Sequence, residues 1–131
     1  MALVRRRGEA IVEFAVVLPV LILIVLGIVV LGKMFFDYLT VQNAAREGAR
    51  AAAVGKSDDE VVEVVRDRAR LLNIHNLRVE ITPPEDERTV GDPVTVEVWY
   101  EHYHIPIFGL IANPRTLYGR ATMRVEVAPK K

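Results

Sequence analysis

The sequence has no cysteine, a single serine and a single tryptophan, and it carries no surplus of either charge: 17 Lys+Arg stand against 17 Asp+Glu in 131 residues. Without cysteine there are no disulfides, no thiol nucleophile and no cysteine-ligated zinc or iron–sulfur centre. The lone serine, Ser57, sits in a helix-capping pattern, which accounts for it without nucleophilic chemistry. A balanced charge leaves no electrostatic footprint for nucleic acid, and the basic residues are dispersed among acids. Gly8, Gly27, Gly32, Gly48 and Gly55 lack the spacing of a phosphate-cradling loop. The length allows one modest domain with an appendage. What the chain does have is apolar residues, 51% of the total, and they are distributed unevenly.

From Phe14 to Gly32 no residue is charged. A helix over that run rises about 28 Å, close to the ~30 Å hydrocarbon core of a bilayer. Lys33, just beyond, has a stem long enough to snorkel. A buried core helix of a soluble protein is the competing reading. The residues that follow would then have to wrap a rod that is apolar on every side, and lipid suits such a rod better. Arg5, Arg6 and Arg7 precede the run, whereas Lys33 and Asp37 nearly cancel after it, so the N-terminus is expected in the cytoplasm and the rest outside. The bulky Lys33-Met34-Phe35-Phe36-Asp37-Tyr38 is unlike a secretory cleavage site.

Glu13 abuts the apolar run, where an ionised carboxylate loses hydration. Two readings stand: the side chain reaches the headgroups and complements the positive helix N-terminus, or it has a specific partner. The heptapeptide Gly8-Glu9-Ala10-Ile11-Val12-Glu13-Phe14 resembles the processing site of type IV pilin-like precursors. Over Val12–Ala53 the chain resembles the N-terminal half of the TadE-like family, minor pilins or pseudopilins of the tight-adherence (Tad/Flp, type IVb) pilus. Glu13-Phe14, Leu18-Pro19 and Asn43-Ala44-Ala45-Arg46-Glu47-Gly48-Ala49-Arg50 carry the resemblance, and Gly119–Glu126 is similar more loosely. It implies a prepilin peptidase that cuts after Gly8, leaving Glu9 as the new first residue and Glu13 as the fifth. It also implies partners: the lipid bilayer, other pilin or pseudopilin subunits and the pilus assembly platform. In that setting Glu13 pairs with a neighbour's new α-amine and selects axial register, with Phe14 beside it. Such a pair contributes little net stability, but a mismatch leaves a buried charge unpaired.

Asp37–Val54 reads as a continuation of the helix into a stalk, with Ala44, Ala45, Gly48, Ala49 and Ala52 on a face that suits close backbone approach. Gly55 ends it. Ser57-Asp58-Asp59-Glu60 then has capping-box spacing, and Val61, Val64, Val65, Ala69 and Leu72 form one apolar stripe. Three stretches alternate with period two: Leu77–Thr82, Val94–Trp99 and Ala121–Val127. They predict a small antiparallel sheet with one solvated face, its apolar side covered by the second helix. The apolar stretch Ile105–Gly119 is expected to pack on a partner or a membrane surface. The expected class is therefore α+β, divided into a leader (1–8), a membrane and stalk helix (9–54) and an external head (55–131).

His102 and His104 share one face of the second predicted strand with Tyr100, but no third ligand is placed by the sequence, and His75 is distant. Neither a metal, nor a cofactor, nor an enzymatic activity is expected. The alternative to a pilin-like role is an unprocessed single-pass membrane protein whose external head binds or senses a partner.

Overall fold

A computed structural model describes residues 2–103 and 115–130. It comprises two compact units, Met1–Lys33 and Met34–Lys131. Helix α1 (Ala2–Ala53) is followed by α2 (Asp58–Arg68) and then by strands β1 (Leu77–Thr82), β2 (Pro93–Tyr103) and β3 (Arg115–Arg124), with short 3-10 turns at Ile74–Asn76 and Glu85–Glu87. The class is α+β, as expected.

In the first unit the apolar run is helical throughout and exposes side chains on every side, including Phe14, Val17, Leu21, Ile24, Ile28 and Leu31. It is long and apolar enough to cross a membrane, and none of its apolar window is buried within the chain. A helix satisfies its backbone groups internally, which hydrocarbon demands. Pro19 lies inside it. Proline removes one of those hydrogen bonds, a local loss that transmembrane helices tolerate.

In the second unit, α1 becomes two-faced. Asp37, Val41, Ala44, Ala45, Gly48, Ala49 and Ala52 are buried, at spacings of three and four. The helix then ends in a Schellman motif: Gly55, at φ 86°, donates to the Ala52 carbonyl and Lys56 to that of Ala51, each at 3.2 Å. Two residues on, the capping box closes as expected, with Ser57 N–H on Glu60 Oε2 at 3.0 Å and Glu60 N–H on Ser57 Oγ at 3.3 Å. Of the predicted stripe, Val61, Val65, Ala69 and Leu72 are buried and Val64 packs at the margin.

The sheet has order β1-β2-β3 and is antiparallel throughout. Its inward face presents Val94, Val96, Val98 and Tyr100 from the central strand, flanked by Leu77, Val79 and Ile81 on one side and Leu117, Ala121 and Met123 on the other. The largest apolar residues buried almost completely are all valines: 41, 61, 65, 94, 96, 98 and 125. Each contributes about 1.5–3 kcal/mol by burial. The alanines contribute less area, and their role is proximity.

That proximity alters the expected packing. The small-residue face of α1 is used inside the chain: α1 covers the sheet together with α2. At Gly48 an added Cβ would lie 2.6 Å from Val65 Cγ2 and 3.1 Å from Val96 Cγ1. At Gly119 it would lie 2.9 Å from the Val41 carbonyl oxygen. The third strand is also displaced from expectation. It starts at Arg115, so the end of the Ile105–Gly119 stretch is strand, and residues 105–114 lie outside the described residues. It stops at Arg124 because the chain then bonds elsewhere. Val125 exchanges bonds with Gly91 and Asp92, while Glu126 and Val127 donate to the Ala53 carbonyl at 2.8 and 3.1 Å. Val127, expected to face inward, is exposed.

Gly119→Ala is expected to destabilise this unit by about 1–3 kcal/mol, since helical backbone cannot yield to the new methyl. Gly48→Ala should lose less, because about 1 kcal/mol of helix propensity offsets its clash with a valine side chain. Thermal unfolding of the full chain in detergent, with Val65→Ala restoring part of the Gly48→Ala loss, checks both.

Candidate processing and assembly segment

Gly8, Glu9, Glu13 and Phe14 all lie on α1, and all are exposed. Nothing lies within 4 Å of where a Gly8 side chain would begin. Packing therefore does not require glycine there, and in a helix interior glycine is less favourable than alanine by about 1 kcal/mol. Glu9 and Glu13 are one helical turn apart, a like-charge spacing that is mildly unfavourable. Among the described residues neither carboxylate has a hydrogen bond or an ion pair. The segment thus combines a glycine that packing does not require with two exposed carboxylates that have no partner among the described residues. It holds no nucleophile or base pair that would perform chemistry, and its groups suit recognition by something outside the chain.

The second unit contains a polar centre that the sequence did not disclose. The Arg88 side chain is fully buried. Its Nε donates to the Pro83 carbonyl and its Nη1 to the Lys56 carbonyl, both at 3.1 Å, while Nη2 pairs with Asp58. Asp58 and Glu85 exchange backbone-to-carboxylate bonds beside it, at 2.8 and 3.2 Å. One guanidinium therefore ties the α1–α2 turn, the start of α2 and the loop after β1. Arginine suits this role because its fork reaches several acceptors at once. No local pattern distinguishes Arg88 from the exposed arginines around it.

On the outward sheet face, Arg78, Trp99 and Tyr118 form one cross-strand row, and Glu80, Glu97 and Arg120 form the next. Arg78 lies over the Trp99 ring at 5.2 Å, and the Trp99 and Tyr118 rings are 5.5 Å apart. The Tyr118 hydroxyl donates to Glu97 Oε1 at 2.5 Å. That bond to a carboxylate, and secondarily partial desolvation, raises the Tyr118 phenol above its ordinary value. An open groove between the end of α1 and α2 is lined by mixed charges, with Arg68 and Glu47 3.8 Å apart. His104 and the His102 side chain lie outside the described residues, and His75 is exposed in a 3-10 turn. Among the described residues no group of three or more His, Asp or Glu is placed to hold a metal ion.

Arg88→Ala leaves two carbonyls and a carboxylate without their donor, so a loss of about 3 kcal/mol is expected, and Arg88→Lys should recover little of it. Chemical denaturation of the full chain in detergent measures both. The Tyr118 interaction has a definite sign with pH. It is fully present below the unfolded phenol's pKa of about 10 and is lost as pH rises through the higher folded value. A difference ultraviolet titration against Tyr118→Phe should place this phenol above about 10, and Glu97→Gln should lower it.

No curated protein and no solved structure matches the chain. A family model does, that of the TadE-like proteins, over residues 8–50. The match begins at Gly8, spans the apolar run and ends at Arg50, covering Glu13-Phe14, Leu18-Pro19 and the Asn43–Arg50 motif. The matched residues include the apolar run that is long enough to cross a membrane. Over these residues, about a third of its length, the chain is similar to the TadE-like proteins, the resemblance its motifs carry.

Proposed function

We propose that this protein is a minor pilin or pseudopilin that contributes to assembly of an adhesive Tad (Flp, type IVb) pilus and acts as a structural subunit, not an enzyme. In this reading residues 1–8 are a cytoplasmic leader, 9–54 a membrane and stalk helix, and 55–131 a head outside the inner or cytoplasmic membrane. A prepilin peptidase cuts between Gly8 and Glu9. The observation that carries the proposal is the family match starting at Gly8, a glycine for which the fold has no use.

The mechanism follows from two environments for one helix. In the bilayer the apolar side chains are solvated by lipid, and Glu13 sits at the cytoplasmic lip beside the headgroups. On extraction those side chains exchange lipid for the helices of neighbouring subunits. The Glu13 carboxylate then leaves water and requires a cation, which the new α-amine of Glu9 on a neighbour supplies. Subunits aligned one step out of register leave both charges buried and unpaired, at a cost of about 3–5 kcal/mol. Phe14 packs next to that pair. Glu13 therefore selects alignment more than it adds stability.

Mass spectrometry of the membrane-extracted protein from its native host should recover a chain beginning at Glu9. Gly8→Val should leave the full-length chain and abolish its incorporation into fibres. Glu13→Gln should leave cleavage intact while reducing the subunit's abundance in fibres. Recovery only of chains beginning at Met1 or Ala2 would remove the processing step. Normal fibre incorporation of Glu13→Gln would remove the register role.

A further inference from the structure

The first turns of the second unit carry an apolar arc that the core does not use. Phe35, Phe36 and Leu39 are 64%, 53% and 40% exposed, at positions i, i+1 and i+4 of α1, and Tyr38 flanks them at 42%. The opposite side of the same turns is packed: Val41 is buried, Met34 lies at the margin of the core, and Asp37 is only 3% exposed. The carboxylate of these turns is thus directed into the protein, and three large apolar side chains outward. Polar groups nearby are satisfied locally. The Thr40 hydroxyl donates to the Phe36 carbonyl at 2.9 Å, and the Gln42 amide donates to the Tyr38 hydroxyl at 3.1 Å. One turn further the outward arc changes character, to Asn43, Arg46 and Arg50, all exposed.

We infer that Phe35, Phe36, Tyr38 and Leu39 form a lipid-interface anchor in the headgroup layer of the bilayer, with the polar boundary of α1 between Leu39 and Asn43. This rests on the membrane reading of the apolar helix and extends it to a surface of the folded unit. The depth agrees with bilayer dimensions. The charge-free run accounts for the ~30 Å hydrocarbon core, and each headgroup layer adds roughly 5–8 Å. Residues 33–39 rise about 10 Å as helix, which puts Phe35 and Phe36 within that layer and Tyr38 and Leu39 at its outer edge. Aromatic rings are the side chains enriched at this level, where one end meets apolar chains and the other water. Continuity with the apolar run favours lipid over a soluble partner. The abrupt change to Asn43 and Arg46 matches a planar boundary.

The absence of cysteine makes single-cysteine variants unambiguous. Val20→Cys, Phe36→Cys, Leu39→Cys and Arg50→Cys are introduced into the full chain, reconstituted in phosphatidylcholine vesicles and alkylated by a water-soluble reagent present on both sides. A thiol in a low-dielectric layer forms less thiolate, so positions 36 and 39 should react on the order of tenfold more slowly than position 50. The same protection should persist when lipid is raised tenfold over protein. Reaction at 36 and 39 as fast as at 50, with position 20 protected, overturns the anchor and leaves the membrane span standing. Reaction at position 20 as well overturns the span itself. Protection at 36 and 39 that disappears on dilution overturns the anchor in favour of contact with a second copy of the chain.

Discussion

The α+β unit depends on how closely a helix can lie on a sheet. At Gly48 the α1 backbone comes within reach of valines from α2 and β2, and at Gly119 the edge strand meets the Val41 carbonyl. Between these two points the facing positions of α1 are mostly alanine. Larger residues there would hold the layers apart and leave the valines of β2 facing a gap, which forfeits dispersion contacts as well as burial. The side-chain volume is therefore concentrated on β2 and α2, and α1 supplies a nearly smooth wall. The same helix faces the opposite requirement further toward its N-terminus, where bulky side chains on every side fit a solvent without hydrogen-bonding capacity.

Local joints hold this arrangement in place. Gly55 terminates α1 with both orphan carbonyl bonds made, and Ser57 begins α2 with a reciprocal cap, so the connection has little conformational freedom. Arg88 then fixes that connection from beneath by binding the Lys56 carbonyl and Asp58 together with Pro83. On the far side the C-terminal residues return to the end of α1 through the Ala53 carbonyl. Both ends of the sheet unit are thus referred to the last turn of one helix.

Elements governed by short-range rules were readable in advance. The capping box, the helix end at Gly55, the stripe from Val61 to Leu72 and the alternation in β1 and β2 all follow from spacing and side-chain chemistry alone. What required the fold was partnership. Alanine and glycine in a row are compatible with a helix partner from another chain or with a sheet from the same one, and only the tertiary structure assigns them to the sheet. The start of β3 was hidden because its inward positions, Leu117, Gly119 and Ala121, shrink from a large side chain to none, which erases the apolar signal that marks a strand. Arg88 was hidden because burial of a charge depends on three acceptors from separate segments. The resemblance of Gly8–Phe14 to a processing site rests on the sequence alone. The fold adds that Gly8 has no packing reason to be glycine and that Glu9 and Glu13 are exposed, without a partner among the described residues.

Among the described residues the apolar interior of the unit is mostly valine and alanine, with no aromatic ring or sulfur atom among its most deeply buried members. Its packing therefore consists almost wholly of carbon–hydrogen surface with stiff, branched side chains that have few rotamers to choose among. Among the described residues the methionines are Met34 and Met123, both at the margin of the core. In the proposed setting outside the membrane, such a core stays chemically unchanged, ageing at its edges while the contacts that define its shape persist.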